Sequence, residues 1–317
     1  MITRRALPLL TIPLIAQAQA QAQARPVRVI VAFAPGGQSD TVMRLLQPKM
    51  AEALGQPVVV ENRAGAGGAI AAAVVAGSAP DGLTLLFDSF GFVVQPLIQR
   101  GLSFDYETAF AAVAQATELP YVLVTRSNFP GRDLAGYVAE ARANPGVTFG
   151  SPGVGSTGHL AGVLLAHRAG VRLEHVPYRG GADAARDVAA GNLDSVISTA
   201  NTLRPLVQDG RARGIALTSA TRRGSMADLP TIAESGFPGF DLTSWNGLFA
   251  PAATPAAMIT RLSEAMRAAA QDPFVRERLG VGGNEAVNEP AAAFAARVAK
   301  DRQVVRQLVA ETGLRLE

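Results

Sequence analysis

A chain of 317 residues, 48% hydrophobic and 17% charged, is long enough for two α/β domains or one large one, and its composition is that of a packed soluble protein. The formal net charge of +3 comes without any basic block, so neither nucleic acid nor an anionic membrane surface is an expected partner. The absence of cysteine excludes disulfides, thiolate catalysis and Cys–zinc sites.

Residues 1–24 read as a secretory signal. Arg4-Arg5 form the basic region, Ala6 to Ala16 the apolar core, and the Ala-Gln run Ala18 to Ala24 offers A-x-A cleavage sites. Cleavage is expected before Arg25, with Ala20 and Ala22 equally compatible. The apolar core is too short to span a bilayer. The mature chain is therefore expected to be exported, to a periplasm where the cell has one.

Val27 to Phe33 predicts a strand and Ala34-Pro35-Gly36-Gly37-Gln38 a turn. A helix capped by Ser39 or Asp40 then runs to about Leu54, with Val42, Leu45, Leu46, Met50 and Ala53 on one face and a kink or late start at Pro48. Further along come a strand at Pro57 to Glu61, a glycine turn over Asn62 to Gly68, a helix at Ala69 to Gly77, a strand at Leu83 to Phe87, and a helix at Phe92 to Ile98. Nothing is predicted from there to the strand Tyr121 to Thr125. A helix at Arg132 to Arg142 leads into a second unit of the first kind. In it, strand residues Val147-Thr148-Phe149 precede the turn Gly150 to Gly158, and a helix with apolar Leu160, Val163 and Leu164 starts at a Ser156 or Thr157 cap.

The alternation continues: strands at Leu173–Val176, Leu193–Ile197 and Arg213–Thr218, helices at Ala182–Ala190 and Thr202–Gln208. It predicts a mostly parallel sheet with helices on both faces and ligands beyond the strands' carboxyl ends. After a proline-rich connector come a strand at Gly247–Ala250, helices at Ala256–Gln271 and Pro273–Leu279, and a terminal helix from Pro290 to about Thr312.

A strand–glycine turn–helix unit directs free backbone N–H groups and the helix dipole at one spot, which binds an anion without a charged side chain. Two such loops facing one another with four or five donors supply about −8 kcal/mol, a micromolar affinity, after binding costs. Asp40 reads as a brace of its loop, because a carboxylate repels an anion. His159 reads as a local hydrogen-bonding group, Arg179 as either a solvated turn residue or the partner of a distal carboxylate, and Trp245 as core or hinge packing.

Rival chemistries have thin support. Gly153-Val154-Gly155-Ser156-Thr157-Gly158 fits G-x-G-x-x-G in strand–helix context, with Glu174 about 20 residues on, so a dinucleotide-binding enzyme is the alternative. Pro152 in the turn and the export signal weigh against it. His159, His167 and His175 are spaced for neither a metal nor a triad, and G-x-S-x-G is absent. No catalytic residue, metal or cofactor is expected.

Six segments in series resemble one family. They are residues 31–40 (VAFAPGGQSD), 59–68 (VVENRAGAGG), 150–161 (GSPGVGSTGHLA), 176–182 (VPYRGGA), 227–236 (ADLPTIAESG) and 245–255 (WNGLFAPAATP). In this order the chain resembles the Bug-type extracytoplasmic receptors of the tripartite tricarboxylate transporters over essentially all of residues 25–317. The resemblance implies an α/β, two-domain periplasmic binding protein-like fold of type II with two crossover strands, near Tyr121–Thr125 and Trp245–Ala250, and a ligand cleft between lobes. One lobe would be 25–123 plus 246–317 and the other 124–245.

The resemblance further implies a monomeric receptor for a small carboxylate-bearing solute, such as a di- or tricarboxylate, amino acid or aromatic acid, working with membrane permease subunits. A ligand sensor without a transport role is the other reading of the same fold. The implied ligand residues are Phe33, Ala34, Gly36, Gly37, Ser39 and Asp40 on one wall. On the other they are Ser151, Gly155, Ser156, Thr157 and His159, with Tyr178, Arg179 and Gly180 nearby. Val154, Gly158 and Val163 depart from the family's usual residues, which bears on the pocket's contour.

Overall fold

The computed structural model describes residues 25–98 and 101–314, so the expected signal segment lies outside the described residues. The first lobe is built on a six-stranded sheet of β1 (Val27–Val31), β2 (Val58–Asn62), β3 (Thr84–Ser89), β4 (Phe110–Leu119), β10 (Ser244–Pro251) and β11 (Glu285–Ala286), in the order β11-β4-β10-β3-β1-β2. The second carries β5 (Tyr121–Arg126), β6 (Thr148–Ser151), β7 (Glu174–Pro177), β8 (Ser195–Thr199) and β9 (Ala212–Leu217), in the order β7-β6-β8-β5-β9.

Strand β1 shows why the sequence folds this way. Val27, Val29 and Val31 enter one core and Ile30 the other, so the strand is covered on both faces and reads as a nearly unbroken apolar run. On one side lie α1 (Gln38–Leu54), α8 (Ala256–Gln271) and α9 (Pro273–Val281), contributing Met43, Leu46, Met266 and Leu279. On the other lie α2 (Ala69–Ala76), α3 (Gly91–Ile98) and α10 (Ala291–Thr312), contributing Ala72, Phe92 and Phe294. The second lobe adds α4 (Leu134–Ala143), α5 (Thr157–Ala169), α6 (Gly181–Ala190) and α7 (Ala200–Gln208).

One apolar cluster runs through both lobes, joining Phe92, Phe249 and Leu308 to Phe149, Leu160 and Leu165. Trp245 is fully buried in it against Phe294, with its indole N–H on Asp301 Oδ2 at 2.8 Å, which is the expected core role. No described helix is long and apolar enough to cross a membrane.

Several expectations are corrected. The sheets are mixed rather than mostly parallel, with four parallel and five antiparallel pairings among the described strands. The strands that join the lobes account for this: β5 and β10 run against their parallel neighbours.

The ten-residue β4 occupies the stretch where no element is predicted. Ala111, Ala112, Ala114 and Ala116 give it little β-propensity, and its extended form comes from pairing with β10 and β11. Helix α1 runs unbroken through Pro48, which lies on its exposed side, and its N-cap is Gly37, not Ser39 or Asp40.

The chain changes sheets at Pro120, since all of β5 pairs with β8 and β9, and it returns before Ser244. The divisions read from the sequence, at 123/124 and 245/246, thus fall inside β5 and β10. Proline donates no N–H to a ladder, and here its carbonyl accepts from Ala200 N–H at 3.0 Å instead.

Candidate ligand cleft

Strand direction sets the geometry of the cleft. β1, β3 and β4 all point their carboxyl ends toward Pro120, and antiparallel pairing of β8 with β5 brings Thr199 opposite Tyr121 at the same junction. The loops after β1 and β6 therefore both open into the space between lobes. The lobes also touch there. A Cβ built on Gly155 would lie 3.1 Å from Ile98 Cδ1 and 3.4 Å from Val94 Cγ1 of α3, and one on Gly283 would lie 2.4 Å from Asn201 Cβ.

The first loop is held by an ionised brace. Asp40, 2% exposed, accepts Gly36 N–H at 2.8 Å, Arg44 Nε at 2.9 Å and Asn62 Nδ2 at 2.8 Å. Burial alone would raise this carboxyl, but hydrogen bonds from Arg44, Gly36 and Asn62 hold it below its ordinary value. Gly37 N–H is spent on Ala34 O at 3.1 Å. Phe33 is half-buried, while Ala34 and Gly36 are exposed. The N–H groups of Gln38 and Ser39, in the first turn of α1, find no acceptor among the described residues.

The second loop is held by neutral groups. Ser156 caps α5, its Oγ accepting His159 N–H at 3.3 Å and donating to Gly153 O at 2.7 Å. Gly155 N–H donates to His159 Nδ1 at 3.1 Å, and Ser151 Oγ meets His175 Nε2 at 2.7 Å. The two imidazoles stack at 3.9 Å. Burial pushes both down to about 4, helped in His159 by its neighbour, so both are neutral at pH 7. Ser156 N–H goes to Gly153 O at 3.2 Å, which leaves Thr157 and Gly158 N–H without acceptors among the described residues.

Four amides that the sequence offers to a ligand (Gly36, Gly37, Gly155 and Ser156) thus serve the loops themselves. The open donors sit one or two residues further into each helix, because the turns close on their own side chains. Tyr178 donates its hydroxyl to Asp187 at 2.7 Å on its own lobe, and Arg179 is exposed without an ion pair among the described residues. Gly180 is the extended N-cap of α6.

A network that sequence reasoning missed ties loop one to the rest of its lobe. Gln38 Nε2 donates to Asn246 Oδ1 at 2.9 Å and to Asn284 Oδ1 at 2.7 Å, and Asn246 Nδ2 donates to Ser39 Oγ at 2.8 Å. Gln38 and Asn246 lie within the family-like segments, but nothing in those segments marks them as partners more than 200 residues apart. Among the described residues no group of three or more His, Asp or Glu could hold a metal ion.

Comparison with known proteins shows the family of the chain. The family model described as the tripartite tricarboxylate transporter family receptor, TctC, matches residues 42–314. The chain belongs to this family. A UPF0065 protein from the tcbD-tcbE intergenic region of Pseudomonas sp. strain P51 is 40% identical over 266 residues, covering 83% of this chain and 79% of the relative.

Two solved structures are similar over most of their length. A Rhodopseudomonas palustris protein solved with adipate shares 31% identity at a TM-score of 0.75, covering 92% of this chain and 98% of its own. MatC from Rhodopseudomonas palustris, with bound malate, shares 31% identity at 0.72, covering 90% and 99%. TctC-family proteins are solute-binding receptors rather than enzymes. In this TctC-family chain the third glycine of the G-x-G-x-x-G run has a packing use: a Cβ on Gly158 would lie 2.1 Å from Ile197 O, so glycine lets α5 sit down on β8.

Proposed function

We propose that this chain is an exported, monomeric receptor that closes its lobes on a small carboxylate and passes it to the permease subunits of a tripartite transporter. The observation that carries this reading is the pair of unspent helix N-termini, Gln38–Ser39 on one lobe and Thr157–Gly158 on the other, at the two rims of one cleft. Each offers N–H donors and a positive dipole end to an anion. The hydroxyls of Ser39 and Thr157, buried in the first helical turns, and of Ser151, buried at the end of β6, would complete the shell, with Phe33 packing against the carbon chain. The adipate and malate bound by the two similar proteins fit such a grip.

A micromolar ligand suffices for such a grip, and hinge closure between lobes would trap it. Thermal shift and calorimetry with succinate, malate, glutamate, adipate and an aromatic acid, against NAD as the rival, test the reading. A ligand at 100-fold over its Kd adds about 2.7 kcal/mol. Stabilisation by a carboxylate and none by NAD supports the receptor; stabilisation by NAD alone replaces it with the dinucleotide-binding enzyme.

A further inference from the structure

Strand β3 carries a carboxyl group into the interior of its lobe. Asp88 is fully buried between Phe87 and Ser89 at the cleft end of the strand. Its Oδ1 accepts Ser89 N–H at 2.7 Å, and its Oδ2 has no hydrogen-bond donor among the described residues. Gln95 Oε1, on α3 and also buried, is likewise without a donor.

Both side chains close on one glycine turn. A Cβ on Gly68 would stand 3.1 Å from Asp88 Oδ2, and one on Gly67 would stand 1.9 Å from Gln95 Nε2. The turn's positive φ values, 61° and 104°, are those glycine adopts readily, so the bare backbone there leaves these polar ends room.

The pair sits one residue behind groups that border the cleft. Gln95 follows Val94, which faces Gly155 of the opposite lobe. Ser89, next to Asp88, is paired in the sheet with Asn246, the residue that ties down Gln38 and Ser39. The Tyr106 hydroxyl is a third buried polar atom without a partner among the described residues; burial raises it, and the charge on Asp88 adds to the effect.

Buried acceptors are rarely left unmet in folded proteins, and a buried carboxylate without a partner is the most costly kind. Burial pushes Asp88 up to about 7, so the group stands between its charged and neutral forms near neutral pH. Nothing in the proposed grip on a carboxylate uses it, and an anionic end of the solute would be repelled by it.

Resting on the receptor reading above, we infer that Asp88 and Gln95 read a hydrogen-bond donor on the solute, an ammonium or hydroxyl group carried beside its carboxylate. They thereby favour amino or hydroxy acids over plain acids of the same length. Asp88 Oδ2 and Gln95 Oε1 would accept from that group, satisfying both atoms when the cleft is occupied.

The test is calorimetry on the full-length mature protein with matched pairs: glutamate against glutarate, and malate against succinate. Because a hydrogen bond to a charged group is a strong one, the wild type is expected to prefer the donor-bearing member of at least one pair by about tenfold. Asp88→Asn, checked for folding by circular dichroism, should bring that ratio to about twofold or less, since it swaps an acceptor for a donor. Gln95→Met, which keeps length and removes the acceptor, should move the ratio the same way and carries the test if Asp88→Asn does not fold. The glutamate arm reports an ammonium and the malate arm a hydroxyl.

Equal affinities within each pair for the wild type, or a preference unchanged in both variants, overturn the inference while leaving the receptor reading intact. Failure of every acid to bind removes the receptor reading and this inference with it.

Discussion

The two glycine loops share a grammar and differ in what locks them. Loop one is held by a carboxylate with a guanidinium, a backbone amide and a carboxamide around it. Loop two is held by serines and a stacked pair of neutral imidazoles. The first lock weakens only in strong acid, because the Asp40 carboxyl lies below its ordinary value. The second weakens over the range in which histidines take up protons. One fold motif has thus been given two different sensitivities, and each can be attacked separately.

The largest effect is expected at the charged lock. Asp40→Ala leaves Gly36 N–H, Arg44 and Asn62 without their shared acceptor, and should cost about 3 kcal/mol in urea denaturation at pH 7. A loss below about 1 kcal/mol would mean that loop one is held by the Gln38–Asn246–Asn284 network instead.

Acid should act on the other loop. The ordinary histidine value is 6.5 and the folded values are about 4. Above pH 6.5 both states are neutral and nothing is lost. As the pH falls toward 4, the unfolded chain binds protons that the fold refuses, so stability drains across that window and levels off below it. Between pH 7 and 5 His159, the more buried of the two, should by itself cost about 2 kcal/mol more in the wild type than in a His159→Gln variant. The same pH dependence in both proteins would assign the acid loss to carboxylates. Protonating His159 would also deprive Gly155 N–H of its acceptor, so ligand affinity should fall in step.

The smallest effect contrasts two glycines. Gly155 has φ of 74° and faces Ile98 across the cleft, so Gly155→Ala should weaken ligand binding about tenfold by propping the lobes apart. Gly37 has φ of −69°, an angle any residue adopts, but a Cβ there would lie 3.1 Å from Ala34 O at the N-cap, so Gly37→Ala should cost about 1 kcal/mol of stability and shift ligand affinity less than about twofold. Equal effects on affinity would dissolve the distinction between the loops.

Much of this was legible in the chain. Strand β1 is an apolar run because it is buried on both faces, and α8 matches its predicted span, Ala256–Gln271, because its apolar residues recur at helical spacing. The Ser156 cap was readable because a cap bonds to an amide three residues away. Strand β4 was not, since its alanines take their conformation from β10 and β11. Nor was the His159–His175 stack, which strand β7 assembles from residues 16 positions apart.

By itself, then, the sequence determined where the chain turns, which faces are apolar, and that two glycine turns open helices, because these follow from contacts within a few residues. Tertiary structure alone decided which amides remain open to a ligand. Asp40 and His159 take up Gly36 and Gly155 N–H only once each loop has closed on itself, and Asp88 and Gln95 come together only when β3, α3 and the Gly67–Gly68 turn are packed. A hydrogen-bonding group is spent or free according to its neighbours in space, and those neighbours come from separate parts of the chain.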